Sequence, residues 1–202
     1  MPDIKIDPNQ TALLIQDMQN ELIKGGAMPV QPYTGEEIIT NSVRLLEKAR
    51  AVGMPVIYVV VNRRPDRRDA PRPPFGAPAS AADAGPRLTA GSHDAEVVSE
   101  LAPRPEDPVV IKHTTSPFNT TDIEVYLRRF GITTLILTGY STTGVVEGSL
   151  RDAKDKDYDC IVVRDCCAAG TSTEHDVCMD IIFPRMAWVA TADEVIGAIG
   201  GQ

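Results

Sequence analysis

Positive charge is in deficit in this chain. Lysine and arginine number 20 against 28 acidic residues, for a net charge of −8. That balance excludes electrostatic capture of DNA, RNA or an anionic membrane as the main purpose. Long apolar runs are also missing. The longest, such as Pro55 to Val61, have the length of a strand and fall far short of a bilayer span. The opening residues Met1-Pro2-Asp3-Ile4-Lys5 lack the apolar core of a secretory signal, so the default expectation is a cytoplasmic location. Histidine is represented only by His93, His113 and His175, far apart in the sequence. A zinc site is therefore not expected. Neither is a nucleotide cofactor, because no glycine-rich phosphate loop follows the first apolar run. The four cysteines, Cys160, Cys166, Cys167 and Cys178, show no Cys-x-x-Cys spacing. Reduced, partly buried thiols are the plain reading, and a nucleophile at Cys166 or Cys167 the sharper one.

What is present is an ordinary globular composition, 43% hydrophobic over 202 residues, enough for one well-buried domain. Strand-like and helix-like segments alternate along its length. Thr11 to Ile15 is a short apolar run. Glu36 to Val52 carries Ile38, Ile39, Val43, Leu45, Leu46 and Ala49 at helical spacing and stops at Gly53. Val56 to Val61 is β-branched at nearly every position, as in a strand covered on both faces. Val109 to Ile111 is a strand closed by Lys112. Further strands are expected at Thr133–Thr138, Ile161–Val163 and Ala187–Val189. Helices are expected over Thr121–Phe130, Val145–Asp157, Thr173–Phe183 and Ala192–Ile199. This βα alternation predicts an α/β fold: a doubly wound, six-stranded parallel sheet with helices on both faces.

In such sheets ligands sit beyond the carboxyl ends of the strands. Asp17, Lys112 and the Gly139–Val145 turn all fall at expected strand ends, so three separated segments converge on one rim. Asp17 can be a proton-transfer group, poised by desolvation and a neighbouring cation, or a turn or cap residue. Lys112 can orient a substrate oxygen or be a solvated charge. His113 follows it and on a strand would point to the opposite face, which makes it structural. Residues 62–90 interrupt the alternation. Asn62 to Pro74 is dense in arginine and proline, and so long a connection is functional or mobile. It reads as a solvated loop or subunit contact, or as a lid for an anionic substrate.

Several local runs carry a family resemblance. They are Ile15-Gln16-Asp17-Met18-Gln19-Asn20, the Lys112…Ser116-Pro117-Phe118 stretch and Leu137-Thr138-Gly139-Tyr140-Ser141-Thr142-Thr143-Gly144-Val145-Val146-Glu147. Downstream, Val162-Val163-Arg164-Asp165, Cys167-Ala168-Ala169 and Ile182-Phe183-Pro184-Arg185 add to it. Together they resemble the isochorismatase-like cysteine hydrolases, nearest the branch containing N-carbamoylsarcosine amidohydrolase. The resemblance implies that Asp17 transfers protons and that Lys112 holds it ionised. It puts Val145 where most of the family has its nucleophilic cysteine, and valine cannot attack a carbonyl. It further implies substrate or oxyanion contacts from Gln19, Asn20, Phe118, Tyr140, Thr142, Thr143 and Gly144, with a cis peptide before the nucleophile position. A small-molecule substrate and a homodimer or homotetramer are also implied. The metal motif of the nicotinamidase branch is replaced here by Asn62-Arg63-Arg64-Pro65-Asp66, so no metal is expected.

Three functions fit these residues. The first is a hydrolase that needs no thiol, as in isochorismatase itself, which has glycine at the cysteine position and cleaves a vinyl ether. An activated C–N bond is the other bond such a hydrolase could cleave. The second is a cysteine amidohydrolase of amide or N-carbamoyl compounds that has lost its nucleophile. The third is a non-catalytic small-molecule-binding or scaffold protein.

Overall fold

A computed structural model of the chain describes residues 4–26, 28–78 and 87–200. Six parallel strands form one sheet: β1 (Thr11–Gln16), β2 (Val56–Val61), β3 (Val109–Lys112), β4 (Thr134–Tyr140), β5 (Asp159–Ala168) and β6 (Trp188–Ala190), in the order β3-β2-β1-β4-β5-β6. The helices are α1 (Asn20–Ile23), α2 (Gly35–Ala51), α3 (Ile123–Arg129), α4 (Glu147–Asp155), α5 (Ser172–Val177) and α6 (Ala192–Ala198). The order reverses direction between β1 and β4, and such a switch point opens a crevice at the strands' carboxyl ends.

Period-2 alternation sorts the central strands between two cores. Leu13 and Ile15 of β1 and Tyr58 of β2 pack into one core with Leu45 and Leu46 of α2 and Val195 of α6. Ala12, Leu14, Ile57 and Val59 face the other core, with Leu127 of α3, Leu150 of α4 and Phe183. Because both faces are covered, β1 and β2 are apolar on every second residue twice over, hence the unbroken runs. Helix α2 is set by a capping box, in which the Thr34 side chain accepts from the Glu37 N–H while the Glu37 carboxylate accepts from the Thr34 N–H.

The elements differ from expectation mainly around β5 and the turn after β4. Strand β5 runs to Ala168, because Arg164 and Asp165 sit in a register shift opposite Leu137–Gly139 and pairing then resumes at Cys167. Two polar residues inside a strand hide its continuation from an apolar pattern. The helix expected from Val145 is preceded by a π-helical turn over Thr142–Val146. The one expected over Thr173–Phe183 is α5 followed by a π-helical turn, Cys178–Ile182. Of the long 62–90 connection, residues 79–86 lie outside the described residues. The part from Arg63 is tied down, since its N–H donates to the Leu88 carbonyl at 2.8 Å and its own carbonyl accepts from the Ala90 N–H at 2.9 Å.

Candidate active site

The site is built where β1, β3 and β4 end. The Asp17 N–H donates to the Val59 carbonyl at 2.8 Å, and the residue then turns through a φ of 54°, a conformation that aspartate tolerates better than most non-glycine residues. Lys112 pairs with Val61 as the last residue of edge strand β3. Since β2 lies between β3 and β1, the long lysine side chain spans the end of β2. Its Nζ stands 2.9 Å from Asp17 Oδ2, and also donates to the Thr114 carbonyl at 3.3 Å. Both groups are nearly sealed from solvent, with Asp17 6% and Lys112 3% exposed. Asp17 Oδ1 is buried and has no hydrogen-bond partner among the described residues. Burial pushes the Asp17 carboxyl above its usual range; Lys112, and last Arg63, pull it back only in part.

On the other side of β1, Gly139 of β4 adopts a φ of 126°, and a β-carbon there would stand 1.9 Å from the Gln16 carbonyl oxygen. Glycine is thus required for β4 to pass β1 before the turn. Tyr140–Ser141 is a cis peptide, four residues ahead of Val145. The Gly144 and Val146 N–H groups both donate to the Ser141 carbonyl, at 3.1 and 3.3 Å, so neither is an unengaged oxyanion donor. Gly144 is also confined by crowding, because a β-carbon on it would meet Ser141 Oγ at 2.7 Å.

These segments enclose a cavity of about 260 Å³ whose walls include Asp17, Lys112, Val145, Gly144, Tyr140, Ser141 and Arg63. The Tyr140 hydroxyl is committed to the Pro29 carbonyl at 2.8 Å, so this residue contributes wall rather than a donor. A larger cleft of about 650 Å³ lies along Asn20, Lys24, His93 and Glu96. The chemistry favours the smaller cavity, which holds the buried ion pair.

Five residues expected at the site are placed elsewhere. Gln19 is fully buried, and its amide is spent on backbone: Nε2 donates to Val61 and Ala95 carbonyls at 2.8 and 2.6 Å, and Oε1 accepts from the Val61 N–H at 2.9 Å. Asn20 donates to the His93 carbonyl at 2.9 Å and lines the larger cleft. Phe118 packs on Tyr158, with ring centroids 6.1 Å apart, while Ser116 accepts from its N–H. The run thus divides: Lys112 to Thr115 line the cavity, while Ser116 to Phe118 shape the turn behind it. Thr142 is buried against His175, and Thr143 is exposed outside the cavity.

His113 corrects a sequence expectation in the opposite direction. Strand β3 ends at Lys112, so alternation no longer governs the next residue, and His113 lines the cavity with Nδ1 3.3 Å from Asp69 Oδ2. Arg63 was hidden in the basic run after β2, and only its place two residues past a buried strand hinted at it. His175 gave no local signal at all. It is fully buried, meets Thr142 Oγ1 through Nδ1 at 2.9 Å and Tyr33 edge-on at 5.7 Å, and burial pushes it down to about 4. The thiols offer no substitute nucleophile. All four are buried and unpaired, and Cys166 and Cys167 lie within β5. Burial raises Cys160 and Cys167 to about 12, Cys178 to about 11 and Cys166 well above the ordinary thiol value. Among the described residues, no group of three or more histidine, cysteine or acidic side chains gathers where a metal could be held, and no helix is long and apolar enough to cross a membrane.

A doubly wound α/β sheet with a buried Asp–Lys pair at the carboxyl ends of its strands defines the class, and comparison with known proteins defines the family. The profile of the isochorismatase domain matches residues 11–194. The chain belongs to the isochorismatase family, whose members are hydrolases. It is similar to an isochorismatase family protein from Burkholderia thailandensis, with 31% identity and a TM-score of 0.85 over 96% of this chain and 97% of the other. It is also similar to N-carbamoylsarcosine amidase from Thermoplasma acidophilum, with 29% identity and a TM-score of 0.72 over 91% and 97% of the two chains. A protein of Arabidopsis thaliana named as a probable inactive nicotinamidase is 33% identical over 82% of this chain and 84% of its own length.

Proposed function

We propose that this protein hydrolyses a small molecule by acid–base chemistry at Asp17 and Lys112, with water as the nucleophile in place of a protein thiol. One observation carries the reading: Asp17 Oδ1 is buried without a partner among the described residues, in a cavity it shares with Val145, while Oδ2 is held by Lys112. A carboxyl raised by burial keeps a proton to higher pH than an exposed one, which suits a general acid. Asp17 protonates the substrate, at the enol carbon of a vinyl ether or at the leaving nitrogen of an activated C–N bond. As the proton leaves, the carboxylate that forms is stabilised by the Lys112 ammonium beside it. Water adds to the electrophilic carbon and gives up a proton that restores Asp17, and the adduct collapses to products. Val145 supplies an apolar wall where a thiolate would otherwise compete with water.

A second reading has its own observation. With valine at position 145 and a relative named as a probable inactive enzyme, the cavity serves binding alone. Turnover assays of the wild-type protein against enol ethers, primary amides and N-carbamoyl compounds, run beside Asp17→Asn, separate the two. Hydrolysis lost in the variant supports the acid-catalysed reading. Ligand binding without turnover of any class supports the second.

A further inference from the structure

Leucine rarely adopts a left-handed backbone, because its β-carbon crowds the neighbouring carbonyl. Leu88 does so, with a φ of 44°, and among the described residues no other apolar side chain has a positive φ. Such a conformation persists only where the surroundings over-determine it, and it clusters at ligand sites. Two groups fix it here. The Glu21 carboxylate of α1 accepts from two successive N–H groups, those of Arg87 at 2.8 Å and Leu88 at 2.7 Å. The Leu88 carbonyl in turn accepts from the Arg63 N–H at 2.8 Å. Both anchors belong to the site's own frame, since Glu21 follows the Asp17 turn and Arg63 follows β2.

This clamp sets Leu88 on the wall of the cavity that holds Asp17 and Lys112. It is only 3% exposed. Leu22, Val61 and Met28 line the same cavity and belong with it to the core on the α2 side of the sheet. Val145 belongs to the core on the other side. The hydrocarbon at Leu88 is therefore one patch drawn from a single core, set apart from the wall at position 145. A polar ligand group placed against it would lose its water and gain no partner. A hydrocarbon group gains by leaving water there. At about 260 Å³ the cavity admits only a small ligand.

We propose that Leu88 determines the specificity of the cavity: with Leu22, Met28 and Val61 it receives an uncharged alkyl group of the substrate, whose scissile bond then lies toward Asp17. This rests on the reading of the cavity as the active site, yet it is tested by binding alone.

The test is titration calorimetry of the whole protein with straight-chain primary amides from butanamide to octanamide. Affinity should rise about fourfold per methylene, the gain from burying one such group, until the cavity is filled, and then stop rising. Leu88→Gly suits the positive φ and empties the patch, so it should move that limit to longer chains. Leu88→Asn also tolerates the backbone and nearly keeps the size, but puts an amide where hydrocarbon stood. It should reduce the gain to less than about twofold per methylene and leave the affinity for butanamide unchanged. Because glycine relieves the strained backbone, Leu88→Gly decides the matter if Leu88→Asn does not fold. A leucine with a merely structural role would change the affinity of all the amides alike. The proposal is overturned by that result, by affinity that does not depend on chain length, by failure of every amide to bind, or by a folded variant that keeps the wild-type profile. Asp17→Asn should keep that profile while losing turnover, so failure of the catalytic assignment leaves a distinct signature.

Discussion

Lys112 Nζ lies 2.9 Å from Asp17 Oδ2, although the strands that carry these residues are separated by a third. Breaking one half of such a buried pair strands the other charge. Asp17→Asn should therefore lower turnover by at least about 10²-fold and destabilise the fold by about 3 kcal/mol. The double variant with Lys112→Met should be equally inactive but less destabilised than the two single changes added together. Denaturant titrations and turnover assays on all three variants check this. Additive losses of stability would mean that the two groups are not coupled.

The pH profile carries a sign. The proposed active form of Asp17 is protonated, and burial raises its pKa above that of an ordinary aspartate. kcat/KM should be flat at low pH and fall as pH rises through that raised pKa. The alkaline limb should lie above the ordinary carboxylate range. A rate that climbs as the carboxyl ionises would make Asp17 a base instead of an acid.

Thiol reagents should leave native activity intact, because all four cysteines are buried and burial raises every one of their pKa values. Iodoacetamide treatment followed by assay and peptide mapping measures this. Val145→Cys should introduce a site that reacts, since it opens into the cavity beside Lys112. Loss of activity in the unmodified protein, with Cys166 or Cys167 labelled, would restore a thiol to the mechanism.

His175 should shape acid stability. Its pKa falls from 6.5 to about 4 in the folded protein. The unfolded chain then binds the proton more tightly, so the stability tied to neutral His175 is complete above pH 6.5. It is lost as pH falls toward 4. Across that window Tm should drop more steeply in the wild type than in His175→Gln, which does not titrate. Parallel Tm curves would mean that His175 is not desolvated as the geometry indicates.

Gly139→Ala should cost about 3 kcal/mol or more, given the left-handed φ and the 1.9 Å approach of the new β-carbon to the Gln16 carbonyl. Thermal melts check it. A loss within ordinary surface values would mean that β4 can shift away from β1 without penalty.

The fold was legible because β1 and β2 are apolar on both faces and announce themselves without tertiary context. Asp17 and Lys112 were legible for the same reason: each is the polar residue that closes an apolar run. The long-range partners were not. His175 meets Thr142 across 33 positions of sequence and carries no local mark of it. Arg63 sits beside arginines that are solvated, and sequence does not tell a buried guanidinium from an exposed one. Gln19 and Asn20 were assigned to the site through the family resemblance of the Asp17-Met18-Gln19-Asn20 run. The left-handed turn at Asp17 sends the following residues to the backbone of β2 and to His93 instead.

Strand β3 has four residues, one neighbouring strand, and two exposed apolar side chains, Val109 and Ile111. An edge so short opens at a lower free energy than the middle of the sheet. The ammonium that governs the buried carboxyl is thus anchored on an edge of the sheet that frays before its centre. Asp17, paired on both sides through β1, stays put when it does. Heat or mild denaturant would then silence the site while most amide hydrogens remain protected, so the temperature at which this protein stops working should sit below the one at which it unfolds.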